Sequence, residues 1–319
     1  MEGGESGRMA YRQCLHLGAQ RRGHLVPVLF PGGGWQSVIE GEGGGKEEAA
    51  LFRLREERGV KLWIHREWEG EDLVGLLRGQ IAGGPPDPRV EMVPTCEGSR
   101  VYRIRLSRGV LYVKHFCYRG PVEVVKALIR GSKGERAWRG GQLLRSLGFS
   151  SPPLVARGKR ISLLTAPVDF VVTEAVSGLR LKQLLQDGFG DRLGERGWRK
   201  RDFLRTLAFT VAELHRRGVY HGDLNPTNIL VDLEGDLSPA AFCFLDNGRC
   251  RQMRRVPYRL RLRDLAGLNH PRLPAITIRD RLRFFSLYRS CLGGQDPKEM
   301  ALRIYQRSVR PRRRQATRT

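Results

Sequence analysis

The hydrophobic pattern changes period partway along the chain, and that change restricts the fold more than any other feature. Val101, Tyr102, Ile104 and Leu106 form one short strand-like run, a turn follows at Arg108-Gly109, and a second run covers 110–116. Two strands joined by a tight turn are expected. An amphipathic helix is expected over 134–147, carrying Glu135, Trp138, Leu143, Leu144 and Leu147, with Gly148 and Pro152-Pro153 closing it. Strand patterns return at 154–156, 161–164 and 170–174, and residues 175–178 read as a connector. Beyond it the spacing becomes helical. Residues 181–185 are a short piece, and 198–217 place Phe203, Leu207, Val211 and Leu214 on one helix face, stopped by Gly218. A loop at 221–228 and a hairpin at 229–231 and 241–245 follow, and helices resume near Asp264. A sheet-rich half, a helix-rich half and a loop with a hairpin between them predict an α+β fold of two lobes.

Residues 1–90 have a different texture. Glycine clusters at 32–34 and 43–45 and the Gly83-Gly84-Pro85-Pro86 run break it up; 46–58 has helical composition, and 60–63 is short and apolar. A small, loosely packed extension is expected. Its glycines lack the strand, GxxxxGK[ST] and helix order of a phosphate-binding loop. The expected division is an extension over 1–90, a β-rich lobe over 91–176, a helical lobe over 177–309 and a basic tail over 310–319.

Charge narrows the partners. Lys and Arg number 57 against 33 Asp and Glu, a net charge of +24, yet 40% hydrophobic content lies near globular averages. The basicity is therefore carried on a fold, and nucleic acid, anionic membrane and phosphorylated small molecules are all chemically possible partners. The best apolar stretch, 161–172, is interrupted by Pro167 and Asp169 and falls short of the roughly 18 to 20 residues a spanning helix needs. The N-terminus lacks both the cationic and the apolar region of a secretory signal, so a cytoplasmic location is expected. Six cysteines without a CxxC pair read as free thiols.

The chemistry concentrates in 219–231, VYHGDLNPTNILV. Asp223 is followed five positions later by Asn228, between a helix and a small hairpin, which is the pattern of a kinase catalytic loop. Such a carboxylate can take the proton of an acceptor hydroxyl, and such an amide oxygen can meet a metal ion on the donor phosphates. Asp246 comes 23 residues after Asp223 at the end of the hairpin, where a carboxylate can hold Mg²⁺. Upstream, Lys114 lies in a strand pattern and is one of only nine lysines, fitted to contact the α- and β-phosphates. Glu135 is placed to orient it through an ion pair. The candidate phosphate cover, Cys96-Glu97-Gly98-Ser99-Arg100, has one glycine instead of a GxGxxG series; backbone amides and the Ser99 hydroxyl are its donors.

These residues together resemble the kinase-like lipopolysaccharide kinases, a family that includes Kdo kinases and core-heptose kinases of Gram-negative bacteria. The matching stretches run from Val101-Tyr102-Arg103 to Lys114, from Gly134-Glu135-Arg136 to Gly148, over 221–232, over Leu245-Asp246-Asn247-Gly248-Arg249 and over 263–269. The resemblance covers about 93–305 and leaves 1–90 unexplained. It implies a two-lobed protein-kinase-like fold and ATP- and Mg²⁺-dependent phosphorylation of a sugar hydroxyl on the lipid A-core at the cytoplasmic face of the inner membrane. It assigns Asp223 as base, Asn228 and Asp246 to metal, and Lys114 with Glu135 to the nucleotide. Two departures stand out. Asn247 replaces the aromatic of Asp-Phe-Gly, and Gly222 replaces the arginine of His-Arg-Asp. Losing that arginine removes a cation that reads activation-loop phosphorylation, which favours a constitutive glycolipid or small-molecule kinase.

Seven arginines fall within 249–263; Arg249, Arg251, Arg254 and Arg255 are the candidate acceptor and anion contacts, with a solvated basic face as the alternative. Asp264 reads as an anchor of the helical lobe. The expected partners are the lipid A-core acceptor and an anionic membrane surface, with no specific nucleic acid. Two other readings stay open: a soluble small-molecule kinase like the aminoglycoside and choline kinases, and a kinase-like binding protein without catalysis.

Overall fold

The computed structural model describes residues 51–309 apart from 58, 74, 77–86, 95–97, 163–166, 187–188, 270–272, 274 and 294–296. The described residues fall within one compact unit that begins at Leu51. The expectations placed on 1–50, on Cys96 and on the basic tail lie outside them.

The first half is a seven-stranded antiparallel sheet. Its strands are β1 (Phe52–Glu57), β2 (Val60–His65), β3 (Val90–Val93), β4 (Ser99–Leu106), β5 (Gly109–Phe116), β6 (Leu154–Arg160) and β7 (Val168–Glu174), in the order β1-β2-β6-β7-β5-β4-β3. The β4–β5 hairpin forms where the alternating runs predict it, with Leu106 opposite Gly109 at the turn. Period-2 alternation sends Tyr102, Ile104, Leu111 and Val113 into the core with Ile64, Val155 and Val172. Lys114 projects on the opposite face with Phe116, which packs on Trp138 and Val171. Two sequence expectations change here. The helical composition of 46–58 gives way to a strand over 52–57, because its residues pair with β2 from Phe52↔His65 to Glu57↔Val60. Strands β1 and β2 therefore belong to the sheet, ahead of the boundary expected at residue 90. Ile161 and Ser162 are not in a strand; β6 ends at Arg160.

Two helices sit between β5 and β6: α1 (Pro121–Arg130) and α2 (Lys133–Ser146). Ser132 caps α2 by accepting from the Glu135 amide, and Gly148 at φ 74 supplies the left-handed stop. Gly140 and Gly141 in mid-helix each cost about 1 kcal/mol against alanine. The contacts explain Gly140, where a methyl would overlap the Asn247 carbonyl oxygen; a methyl on Gly141 would make only an ordinary contact with Leu154 at 3.4 Å.

After the connector, β8 (Leu179–Arg180) leads into α3 (Leu181–Gln186), α4 (Phe189–Glu195) and α5 (Lys200–Arg216), whose buried face carries Phe203, Leu207, Val211 and Leu214 as their spacing predicts. Strands β9 (Val219–Tyr220), β10 (Ile229–Val231), β11 (Phe242–Phe244) and β12 (Arg251–Gln252) follow, then α6 (Tyr258–Leu268), α7 (Ile278–Leu292) and α8 (Pro297–Val309). Helix α6 starts six residues before the Asp264 expected from sequence, with Pro257 as its N-cap residue. One apolar core joins α3, α5, α6, α7 and the β10–β11 hairpin, with Phe203, Phe242, Phe244 and Tyr288 fully enclosed.

Candidate active site

The loop at 221–228 is built on a buried carboxylate. Asp264 of α6 is 1% exposed and accepts from the His221 amide at 2.9 Å and the Gly222 amide at 3.0 Å. His215 Nε2 lies 3.3 Å from the same carboxylate, and its Nδ1 is 2.7 Å from the Tyr288 hydroxyl. Three elements thus hold one loop from beneath. Gly222 adopts φ +80, and a Cβ there would stand 2.7 Å from Arg249 Cβ and 2.9 Å from Arg249 O. The replacement of arginine by glycine in the loop therefore has a backbone cause that the sequence comparison with other kinases did not supply. His221 is fully buried; burial pushes its imidazole below the ordinary value, against the opposing pull of Asp264, so the ring is neutral.

Asp223 stands on this loop. The Asn228 amide nitrogen donates to the Asp223 carbonyl at 2.9 Å and to its carboxylate at 3.3 Å; Asn225 donates to the same two groups at 3.0 and 3.4 Å. With its nitrogen so engaged, the Asn228 side-chain oxygen is the atom that could meet a cation. The hairpin then brings in Asp246: β10 and β11 pair at Ile229↔Phe244, and the Leu245 amide donates to the Asn228 carbonyl at 2.9 Å. Asp246 itself adopts φ 56, ψ 51, the single non-glycine residue with positive φ among the described residues. A left-handed conformation costs an L-residue about 1–2 kcal/mol, so it marks a position where geometry outweighs comfort.

Lys114 Nζ lies 2.8 Å from Asp246 Oδ1, joining the sheet to the hairpin turn. The ion pair expected between Lys114 and Glu135 is not formed. Glu135 binds Lys159 at 3.1 Å and Arg139 at 2.6 Å. The reason is the placement of α2. Asp169, fully buried on β7, accepts from Ser132 Oγ at 2.8 Å, the Gly134 amide at 2.9 Å and Tyr118 Oη at 2.5 Å, which pins the start of α2 over that strand. Lys159 is the cross-strand partner of Asp169, which brings it within reach of Glu135 alongside Arg139. Burial raises the Glu135 carboxyl, but the hydrogen bond from Lys159 and the charges of Lys159 and Arg139 outweigh it and hold it below the ordinary range. Nothing in the sequence pattern singled out Asp169; an aspartate inside an apolar run was the available signal.

Gly98 and Ser99 stand at the open end of the β4–β5 hairpin. Gly98, at φ 102, accepts from the Cys117 amide at 3.1 Å, and Ser99 pairs with Phe116, two positions along from the Val101↔Lys114 pair. The adjoining 95–97 lie outside the described residues. Arg249 closes the turn after Asp246, and β12 pairs with β9 at Arg251↔Tyr220, which stitches the basic segment to the strand entering the loop. Arg249, Arg251, Arg254 and Arg255 are all exposed. Among the described residues no group of three His, Cys, Asp or Glu side chains could hold a metal. An Asp and an Asn suit Mg²⁺ that completes its shell with phosphate oxygens and water.

A sheet-rich lobe, a helical lobe and a loop and hairpin between them make this a protein-kinase-like fold. Residues 131–288 match the model of the lipopolysaccharide kinase (Kdo/WaaP) family. A solved structure of WaaP in complex with acyl carrier protein is similar in fold, with 22% identity, 80% of this chain and 98% of that chain covered, and a TM-score of 0.53. No curated protein matches the chain.

Proposed function

We propose that the protein transfers the γ-phosphoryl group of ATP to a sugar hydroxyl, of Kdo or heptose, in the lipopolysaccharide inner core. The observation that carries this reading is the meeting of the Asp223–Asn228 pair with the Lys114–Asp246 pair across one hairpin. Asp223 takes the proton of the attacking hydroxyl, and Asn225 and Asn228 hold its carboxylate in place. Asn228 and Asp246 are the residues suited to Mg²⁺, which when bound neutralises charge on the donor phosphates. Lys114 meets those phosphates; until nucleotide arrives, Asp246 balances its charge. Ser99 and the Gly98 backbone lie along the same ladder and suit the outer phosphates. Glu135 acts at one remove, through Lys159 and Arg139. Arg249, Arg251, Arg254 and Arg255 bind the anionic groups of the acceptor beside the loop. The acceptor's lipid places the reaction at the cytoplasmic face of the inner membrane. No helix among the described residues is long and apolar enough to cross a membrane, which suits attachment from one side.

The test is phosphate transfer from Mg-ATP to Kdo-lipid A, to heptosylated core and to soluble sugars, compared side by side. Asp223→Asn is expected to lower kcat by about 10²–10⁴-fold, the usual contribution of a positioned base. Undiminished transfer by that variant rejects the assignment, and preference for a soluble sugar rejects the acceptor.

A further inference from the structure

Helix α1 turns apolar side chains outward. Val122, Val125, Leu128 and Ile129 are 65, 41, 52 and 78% exposed, while the buried apolar side chains of the helix are Val124 and Ala127. At about 3.6 residues per turn the four exposed positions share about a third of the circumference, away from the packed side. Lys126 and Arg130, both exposed, border the stripe. The helix has one acidic residue, Glu123, and it is engaged: it accepts from the Arg119 amide at 3.1 Å and from Lys133 Nζ at 2.9 Å. The outward face is therefore aliphatic with a cationic border and no free carboxylate.

We propose that α1 is a membrane-docking helix, which lays Val122, Val125, Leu128 and Ile129 into the interfacial layer of an anionic bilayer while Lys126 and Arg130 meet the headgroups. The pattern is that of an interfacial amphipathic helix, apolar on one side and basic at the edge. The charge is complementary to anionic lipid, and the chain as a whole carries +24. A protein partner fits less well, since protein interfaces draw their binding energy from Trp, Tyr and Arg and under-use Val and Leu. Docking through α1 also bears on the site, because Gly131 and Ser132 alone separate it from α2 and the Glu123–Lys133 ion pair ties the two helices. The inference deepens the membrane part of the proposed function and is independent of phosphoryl transfer.

The experiment is co-sedimentation of the full chain with vesicles of phosphatidylcholine alone and with about 30% phosphatidylglycerol, without ATP or acceptor. Val125→Asp with Ile129→Asp is expected to lower the partition coefficient on both vesicles by about tenfold or more, with an unchanged thermal midpoint because both residues are exposed. Lys126→Glu with Arg130→Glu is expected to remove the preference for anionic vesicles. Wild-type partitioning by the aspartate variant overturns the proposal. So does loss of binding confined to Arg254→Glu with Arg255→Glu, which would move the membrane contact to the basic segment. A third overturning result is an aspartate variant that loses affinity for acyl carrier protein but not for vesicles. Because ATP is absent, failure of the kinase reading leaves this readout unaffected.

Discussion

Replacing Asp264 tests whether the loop bearing Asp223 is held as described. The carboxylate is 1% exposed and takes the amide protons of His221 and Gly222 at 2.9 and 3.0 Å, with His215 at 3.3 Å. In Asp264→Ala both amides stay buried without a partner, at about 1–3 kcal/mol each. The total of about 2–6 kcal/mol brackets the roughly 3–5 kcal/mol cost of removing one member of a buried charged cluster. Asp264→Asn keeps the shape but offers one acceptor where two are needed, and sets an amide nitrogen against a donor. It should cost about 2 kcal/mol. Asp223 lies one residue beyond the anchored pair, so the loosened loop should also lower kcat, by about 10²-fold for a displacement near 1 Å. Urea unfolding followed by tryptophan fluorescence gives the first quantity, and turnover measured where each variant is fully folded gives the second. An alanine variant within about 0.5 kcal/mol of wild type refutes the anchor. A destabilised variant with normal kcat refutes its bearing on the loop.

Two further outcomes follow from geometry and burial. Restoring the arginine that many kinases carry, Gly222→Arg, should destabilise by about 2–5 kcal/mol, from the left-handed backbone and the overlap with Arg249; a melting temperature equal to wild type would contradict this. Stability should also decline as pH falls below the ordinary histidine value of 6.5, because burial lowers the folded-state pKa of both His221 and His115. In that window the unfolded chain binds protons that the folded chain does not, so stability is complete above 6.5 and is lost toward acid, by up to about 1.4 kcal/mol per pH unit for each histidine. Urea titrations at about pH 7.5 and about pH 5.5 measure it, and equal stability at the two would refute neutral burial.

What the sequence disclosed was local. Asp223, Asn228 and Asp246 fall within 24 residues, on a loop and hairpin whose apolar runs fix their own register, so their closeness in the fold could be read from spacing. The partner of Lys114 was not legible, because 132 residues separate it from Asp246 and the pairing depends on how α2 and the turn pack. Glu135 was misassigned for the same reason: its neighbour is set by Asp169, whose role exists only once β7 lies under the start of α2. Strand β1 was hidden by charge, since Arg53, Arg55 and Glu56 surround the exposed Leu54 and leave no alternating apolar face. Helix α1 had a readable signal in Gly120-Pro121 at its start and Gly131 at its end, the usual asymmetry of helix termini.

The glycines of α2 have a mechanical consequence. Backbone meets neighbour at two places along this helix, at Gly134 against the Asp169 carboxylate and at Gly140 against the Asn247 carbonyl. A helix seated that closely can neither roll nor slide without opening a void along one side, and close-packed interiors resist such voids. It behaves as a strut wedged between the sheet and the turn that carries Asp246. A kinase-like fold that switches by swinging the corresponding helix needs slack there, and at these two contacts α2 has none.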